Sequence, residues 1–125
     1  MSSSVLLIDD DPTIRETVEI ILNYFGREVV CADSGPAGLD ILRSGFKGVV
    51  LLDVMMPEMD GWETLKAMIE ENTIEGCVVC MLTAVYNPDD KMEPVKDYVM
   101  DYLRKPFTAE ELVATVDECI GYIAP

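Results

Sequence analysis

Short apolar runs rich in β-branched residues alternate along the chain with longer stretches of helical period, five times over. Residues 5–8, 29–32, 49–53, 78–82 and 100–103 read as strands. Most are continuously apolar, which predicts a parallel sheet covered on both faces. Between the first two, residues 13–25 place Ile14, Val18, Ile21, Leu22 and Phe25 on one helical face, with Arg15, Glu16 and Glu19 elsewhere. Asp11-Pro12 supplies an N-cap and a first-turn proline, and Gly26 a stop. A second helix over about 36–43 is capped by Ser34 and ended by Gly45, and a third runs over about 62–70. A fourth helical segment falls between Asn87 and Tyr98. Pro88 suits a first turn, but Pro94 should break or kink the helix at a cost of about 3 kcal/mol, which predicts an irregular element. The last helix opens on the capping box Thr108-Ala109-Glu110-Glu111 and presents Leu112, Val113, Val116 and Ile120. The predicted fold class is α/β, a three-layer, doubly wound, five-stranded parallel sheet in one domain over residues 1–125.

Composition narrows the function classes. The 125 residues carry 24 Asp+Glu against 9 Lys+Arg, a formal net charge of -15, no histidine, and yet half are apolar. That apolar content excludes disorder. The charge disfavours direct binding to nucleic acid or anionic membranes, and predicts cations and basic patches as partners. The longest apolar runs fall far short of the ~20 residues that span a bilayer, and the N-terminus lacks a basic export signal, so a cytoplasmic location is expected. The four cysteines then read as reduced thiols. Cys77-Val78-Val79-Cys80 matches C-x-x-C, but on a strand two residues three apart face opposite ways and cannot share a ligand.

The chemistry lies where the strands end. Strand one ends in Asp9-Asp10-Asp11, strand three in Asp53, strand four in Thr83-Ala84, and strand five leads into Lys105-Pro106. In a doubly wound sheet these carboxyl ends share one edge, where ligands bind. Asp11 is assigned to the helix cap. Asp9, Asp10 and Asp53, if about 4 Å apart, repel by roughly 4 kcal/mol per pair at an effective dielectric near 20. A divalent cation offsets this most directly. All-oxygen ligation fits Mg²⁺, with Mn²⁺ as a substitute. Lys105 can pair with Asp53 and also with a phosphoryl group attached to it, and Thr83 offers a hydroxyl at the same edge. These groups suit in-line phosphoryl transfer onto Asp53, giving an acyl phosphate.

At this point the chain resembles the receiver domain of two-component response regulators. The resemblance runs through Val5-Leu6-Leu7-Ile8-Asp9-Asp10-Asp11-Pro12, through Leu51-Leu52-Asp53-Val54-Met55-Met56-Pro57-Glu58-Met59-Asp60-Gly61, through Met81-Leu82-Thr83-Ala84, and through Asp101-Tyr102-Leu103-Arg104-Lys105-Pro106-Phe107. It implies a flavodoxin-like sheet of strand order 2-1-3-4-5. It also implies that Asp53 is the phosphoacceptor, served by a phosphohistidine on a sensor kinase or histidine phosphotransfer protein, or by a small donor such as acetyl phosphate. Asp9, Asp10, Asp53 and the Met55 backbone carbonyl would hold Mg²⁺. Thr83 would be the switch hydroxyl, Lys105 the phosphoryl-pairing lysine, and Tyr102 the switch aromatic, itself half-buried. Without a histidine, these residues cannot supply the phosphohistidine.

The chain departs from the family pattern before strand five, where Tyr98-Val99-Met100 replaces the usual Gly-Ala. Two positions that tune phosphoryl lifetime in the family carry Met55 and Val85. Neither can orient a water, which implies autodephosphorylation on the order of minutes to hours. No turnover of an external substrate is expected. Two other readings are a Mg²⁺-dependent aspartyl-phosphate phosphatase, against which Met55 stands where a second Asp belongs, and a degenerate receiver acting as an unphosphorylated interaction module. The cognate kinase and the downstream protein or output domain are not encoded in these motifs.

Overall fold

Leu6, Ile8, Val50, Leu52, Val79 and Met81 are buried on one face of the sheet, and Val5, Leu7, Val49, Leu51, Val78, Cys80 and Leu82 on the other. Strand periodicity of two sends successive side chains to opposite faces, so a continuously apolar strand builds two cores at once. In the computed structural model, which describes residues 4–84 and 91–123, the strands are β1 (Ser4–Ile8), β2 (Glu28–Ala32), β3 (Gly48–Asp53), β4 (Cys77–Thr83) and β5 (Val99–Arg104). All pair in parallel in the order β2-β1-β3-β4-β5. The helices among the described residues are α1 (Pro12–Tyr24), α2 (Gly35–Arg43), α3 (Gly61–Glu70) and α4 (Ala109–Ile120). Val18 and Leu22 of α1 join Leu112, Val116 and Cys119 of α4 on one core, while Leu39 and Leu42 of α2 join Trp62, Leu65 and Met68 of α3 on the other. The three predicted layers are present.

Strand order reverses its direction of growth between β1 and β3, and the loops beyond their carboxyl ends diverge there into a crevice. Asp9 directly follows β1 and Asp53 closes β3. Topology thus brings the acidic residues together.

The predicted caps at Asp11, Ser34 and Thr108 all form, each accepting from a backbone N–H of the first helical turn. One helical expectation is corrected. Phe25 is 54% exposed, off the buried stripe, because it is the C-cap of α1 and packs edge-on against Tyr24. At α3 a capping box went unread in the sequence: the Asp60 side chain accepts from the Glu63 N–H, and the Glu63 side chain from the Asp60 N–H. The D-x-x-E spacing Asp60-Gly61-Trp62-Glu63 was its signal.

The segment before β5 is irregular, as Pro94 predicts. Residues 91–95 form turns and Lys96–Tyr98 a single 3-10 turn, while Val85, Asn87 and Pro88 lie outside the described residues. The register between β4 and β5 shifts at Val79/Cys80, which leaves Met100 as an extra residue on the edge strand. Edge strands are covered on fewer sides, and in β5 exposed positions alternate with partly buried ones, Leu103 alone being buried. Cys77 and Cys80 face opposite cores, as expected of a strand. The hydrogen bond with Cys119, together with burial, pushes the Cys80 thiol up, so it packs as a neutral group.

Candidate functional site

Asp9 extends the β1 ladder by donating its N–H to the Ala32 carbonyl at 3.1 Å, and its side chain is completely buried. A buried carboxylate needs partners. One oxygen, Oδ1, accepts the Asp11 N–H at 2.9 Å, and Oδ2 accepts from Lys105 Nζ at 2.8 Å. Asp53 is also buried; its Oδ1 accepts the Met55 N–H at 3.3 Å and lies 3.3 Å from Lys105 Nζ. Asp10 is exposed at the mouth. Asp9, Asp10 and Asp53 each offer a carboxylate oxygen within 4.8 Å of the others. Lys105, expected at the acidic cluster with Asp53 as its ion-pair partner, bridges Asp9 and Asp53 and sits closer to Asp9.

Several elements hold these groups. Lys105 donates its backbone N–H to the Thr83 carbonyl at 2.7 Å, which ties the end of β5 to that of β4, and the Lys105-Pro106 peptide is cis. After β3, Gly61 closes the loop by donating to the Val54 carbonyl at 2.9 Å. A Cβ on Gly61 would lie 2.3 Å from the Asp53 carbonyl oxygen, so only glycine lets α3 begin this close to the strand end. Within the same loop Glu58 takes φ 68, which few non-glycine residues adopt. Lys91 reaches Asp60 at 2.9 Å and joins the irregular segment to the cap of α3.

The remaining predicted residues are placed as follows. Thr83 ends β4, one residue beyond Leu82, the partner of Asp53, and is partly buried. Tyr102 pairs with Met81 on β5, on the sheet face opposite α4, and is 37% exposed rather than half-buried. The Met55 side chain points to solvent. Sequence reasoning missed Arg15, which donates to the Asp9 carbonyl at 2.8 Å. No sequence pattern announces a side chain that reaches back to a strand-end carbonyl.

The donor set is three carboxylates with no thiol or imidazole, which suits a hard divalent cation of Mg²⁺ type. Burial, then the Asp9 charge, pushes Asp53 up to about 6, against the opposing pull of Lys105 and the Met55 N–H. This has two opposite consequences for pH. Between the ordinary value of 3.8 and about 6 the folded state holds a proton the unfolded chain has released, so the metal-free fold gains stability as pH falls through that window. Cation binding requires the ionised carboxylate, so Mg²⁺ affinity should fall about tenfold per unit once pH is below the Asp53 value. Calorimetric Mg²⁺ titrations and thermal melts in chelator across this range check both signs; a pH-independent affinity contradicts the assignment.

Comparison with known proteins places this geometry in a family. Residues 5–117 match the family model described as the response regulator receiver domain. Among solved structures, a CheY-like response regulator receiver domain protein from Methanospirillum hungatei is 43% identical, covers 95% of this chain and 94% of its own, and superposes with a TM-score of 0.91. The chemotaxis protein CheY4 of Vibrio cholerae is 31% identical over 95% of this chain and 99% of its own, with a TM-score of 0.86. Response regulator MprA of Mycolicibacterium vanbaalenii is 34% identical over all of this chain but 53% of its own length. The probable transcriptional regulator ycf27 of Porphyra purpurea is 34% identical over 90% of this chain and 45% of its own. The chain therefore spans about half the length of these two relatives. No helix among the described residues is long and apolar enough to cross a membrane.

Proposed function

Since this chain belongs to the response regulator receiver domain family, whose members are signalling domains rather than classical enzymes, we propose that it is a phosphorylation-dependent switch with Asp53 as phosphoacceptor. The observation that carries the reading is the convergence of Asp9, Asp10, Asp53 and Lys105 at one sheet edge. An Asp53 carboxylate oxygen forms the new bond to phosphorus while the bond from phosphorus to the donor breaks, leaving an acyl phosphate. The donor is the phosphohistidine of a sensor kinase or a phosphotransfer protein; the 125 residues contain no histidine. Mg²⁺, held by Asp9, Asp10, Asp53 and the Met55 carbonyl, would neutralise charge on the transferring oxygens.

The chain's own residues do the rest. Lys105, already shared by two carboxylates, has donors to spare for a phosphoryl oxygen, and a new dianion beside Asp9 requires that cation. Thr83 at the end of β4 turns its hydroxyl to the phosphoryl group, and Tyr102, on the face of β5 away from α4, changes rotamer with it. Such a change shifts the population between two states, which a protein target or output domain reads in the cytoplasm. Residues 1–125 act as the receiver unit.

Incubation with acetyl phosphate tests the reading. We expect Mg²⁺-dependent labelling of Asp53, decaying over minutes to hours because Met55 cannot orient water, and no turnover of a phosphomonoester. Absence of labelling would favour the unphosphorylated interaction module, and sustained hydrolysis the phosphatase.

A further inference from the structure

The geometry points to Arg15 as a positioning residue for the cation pocket: by holding the Asp9 carbonyl it fixes the Asp9-Asp10 peptide, and so sets where the Asp10 carboxylate faces. This rests on the Mg²⁺-dependent phosphoacceptor reading above.

Asp9 stands at the corner where β1 leaves the sheet. Its N–H is still in the ladder, on Ala32, but its carbonyl lies beyond the last strand residue, Ile8, and ahead of α1. A partly buried carbonyl at such a corner needs a donor, and the Arg15 guanidinium supplies one at 2.8 Å. Arg15 is itself anchored: its backbone N–H closes the first turn of α1 on the Asp11 carbonyl at 3.1 Å. The side chain therefore staples the first turn of the helix to the end of the strand, with Asp10 between the two fixed points.

The two acidic neighbours differ in how they are held. The Asp9 carboxylate is fixed by the Asp11 N–H and by Lys105. Among the described residues, no hydrogen bond or ion pair holds the Asp10 carboxylate, so the backbone, through the position of its Cβ and the rotamers it allows, is what biases its direction. A rotation of the Asp9-Asp10 peptide would swing it away from the other two ligand groups, which it now approaches within 4.8 Å.

Mg²⁺ titration of the 125-residue chain by calorimetry, with Arg15→Ala, Arg15→Gln and Arg15→Lys, tests the role. Residues that orient metal ligands typically cost about ten- to a hundredfold in affinity when lost, and Arg15→Ala is expected at the lower end, about tenfold weaker. Arg15→Gln, too short to reach the carbonyl, should weaken binding similarly, and Arg15→Lys should recover most of the loss. The Mg²⁺ concentration for half-maximal acetyl phosphate labelling should rise by the same factor, with a much smaller change at saturating Mg²⁺. A lowered melting temperature with unchanged Mg²⁺ affinity overturns the proposal, because it marks a purely structural contact. Tighter binding by Arg15→Ala overturns it as well, since charge would then outweigh position. If the wild-type chain binds no Mg²⁺ and Asp10→Asn behaves identically, the underlying cation reading fails and this one with it. Wild-type binding that Asp10→Asn abolishes and Arg15→Ala leaves intact refutes the Arg15 role alone.

Discussion

A chain carrying Asp53→Asn is expected to take up no phosphoryl group from acetyl phosphate under conditions that label the wild-type chain. The substitution is nearly isosteric, so the fold around β3 should persist, but an amide oxygen is a far poorer nucleophile than a carboxylate and cannot form the acyl phosphate. Stability should move the other way. Burial and the Asp9 charge disfavour the ionised form of Asp53 in the metal-free protein, so a neutral amide relieves repulsion. The variant should melt at or above the wild-type temperature in chelator at neutral pH and gain less from added Mg²⁺. Intact-mass measurement reads the labelling and a thermal melt the stability. Label retained and mapped to another carboxylate, Asp10 for instance, would remove Asp53 from the acceptor role.

Lys105→Ala carries the next largest effect. The ammonium is 2.8 Å from Asp9 and 3.3 Å from Asp53, and both acids are buried. Losing one partner of a buried pair costs about 3–5 kcal/mol, which solvent reaching the 18%-exposed lysine side chain reduces to about 1–3 kcal/mol. Burial alone would lower the lysine pKa, but the Asp9 hydrogen bond and the charges of Asp53 and Asp9 raise it overall. The sign follows: this stabilisation is fully present below the ordinary lysine value of 10.5 and is lost only as pH rises through the higher folded-state value. At neutral pH the whole contribution is therefore at stake. Urea unfolding in chelator should show the loss, and added Mg²⁺ should restore more stability to Lys105→Ala than to the wild type, because a cation then serves carboxylates with no other counter-charge. Equal stability of the two chains in chelator would show that the pair contributes nothing to the fold.

Much of this site was legible before any fold was known, and the reason differs from residue to residue. Asp9, Asp53, Thr83 and Lys105 were found because each follows or ends an apolar run, and strand ends of a parallel sheet share an edge. Asp11, Ser34 and Thr108 were readable as caps because capping is a local contact within a few residues. The box at Asp60 and Glu63 is equally local. Phe25 departs from the expected stripe because it is the cap of α1, where helical periodicity no longer holds.

Sequence alone determined which segments are strands and helices, which of their faces are apolar, and which polar residues stand at the strand ends, since these depend on periods of two and 3.6 and on neighbours close in the chain. Only the tertiary structure decided that Lys105 meets Asp9 more closely than Asp53, across 96 positions of sequence. It likewise decided that Arg15 clamps the Asp9 carbonyl, that Gly61 lies against the Asp53 carbonyl, and that Met100 is the extra residue opposite Val79 and Cys80. Distances of this kind follow from the register and twist of strands distant in sequence and from the rotamers that packing leaves open, and no local pattern of residues encodes them.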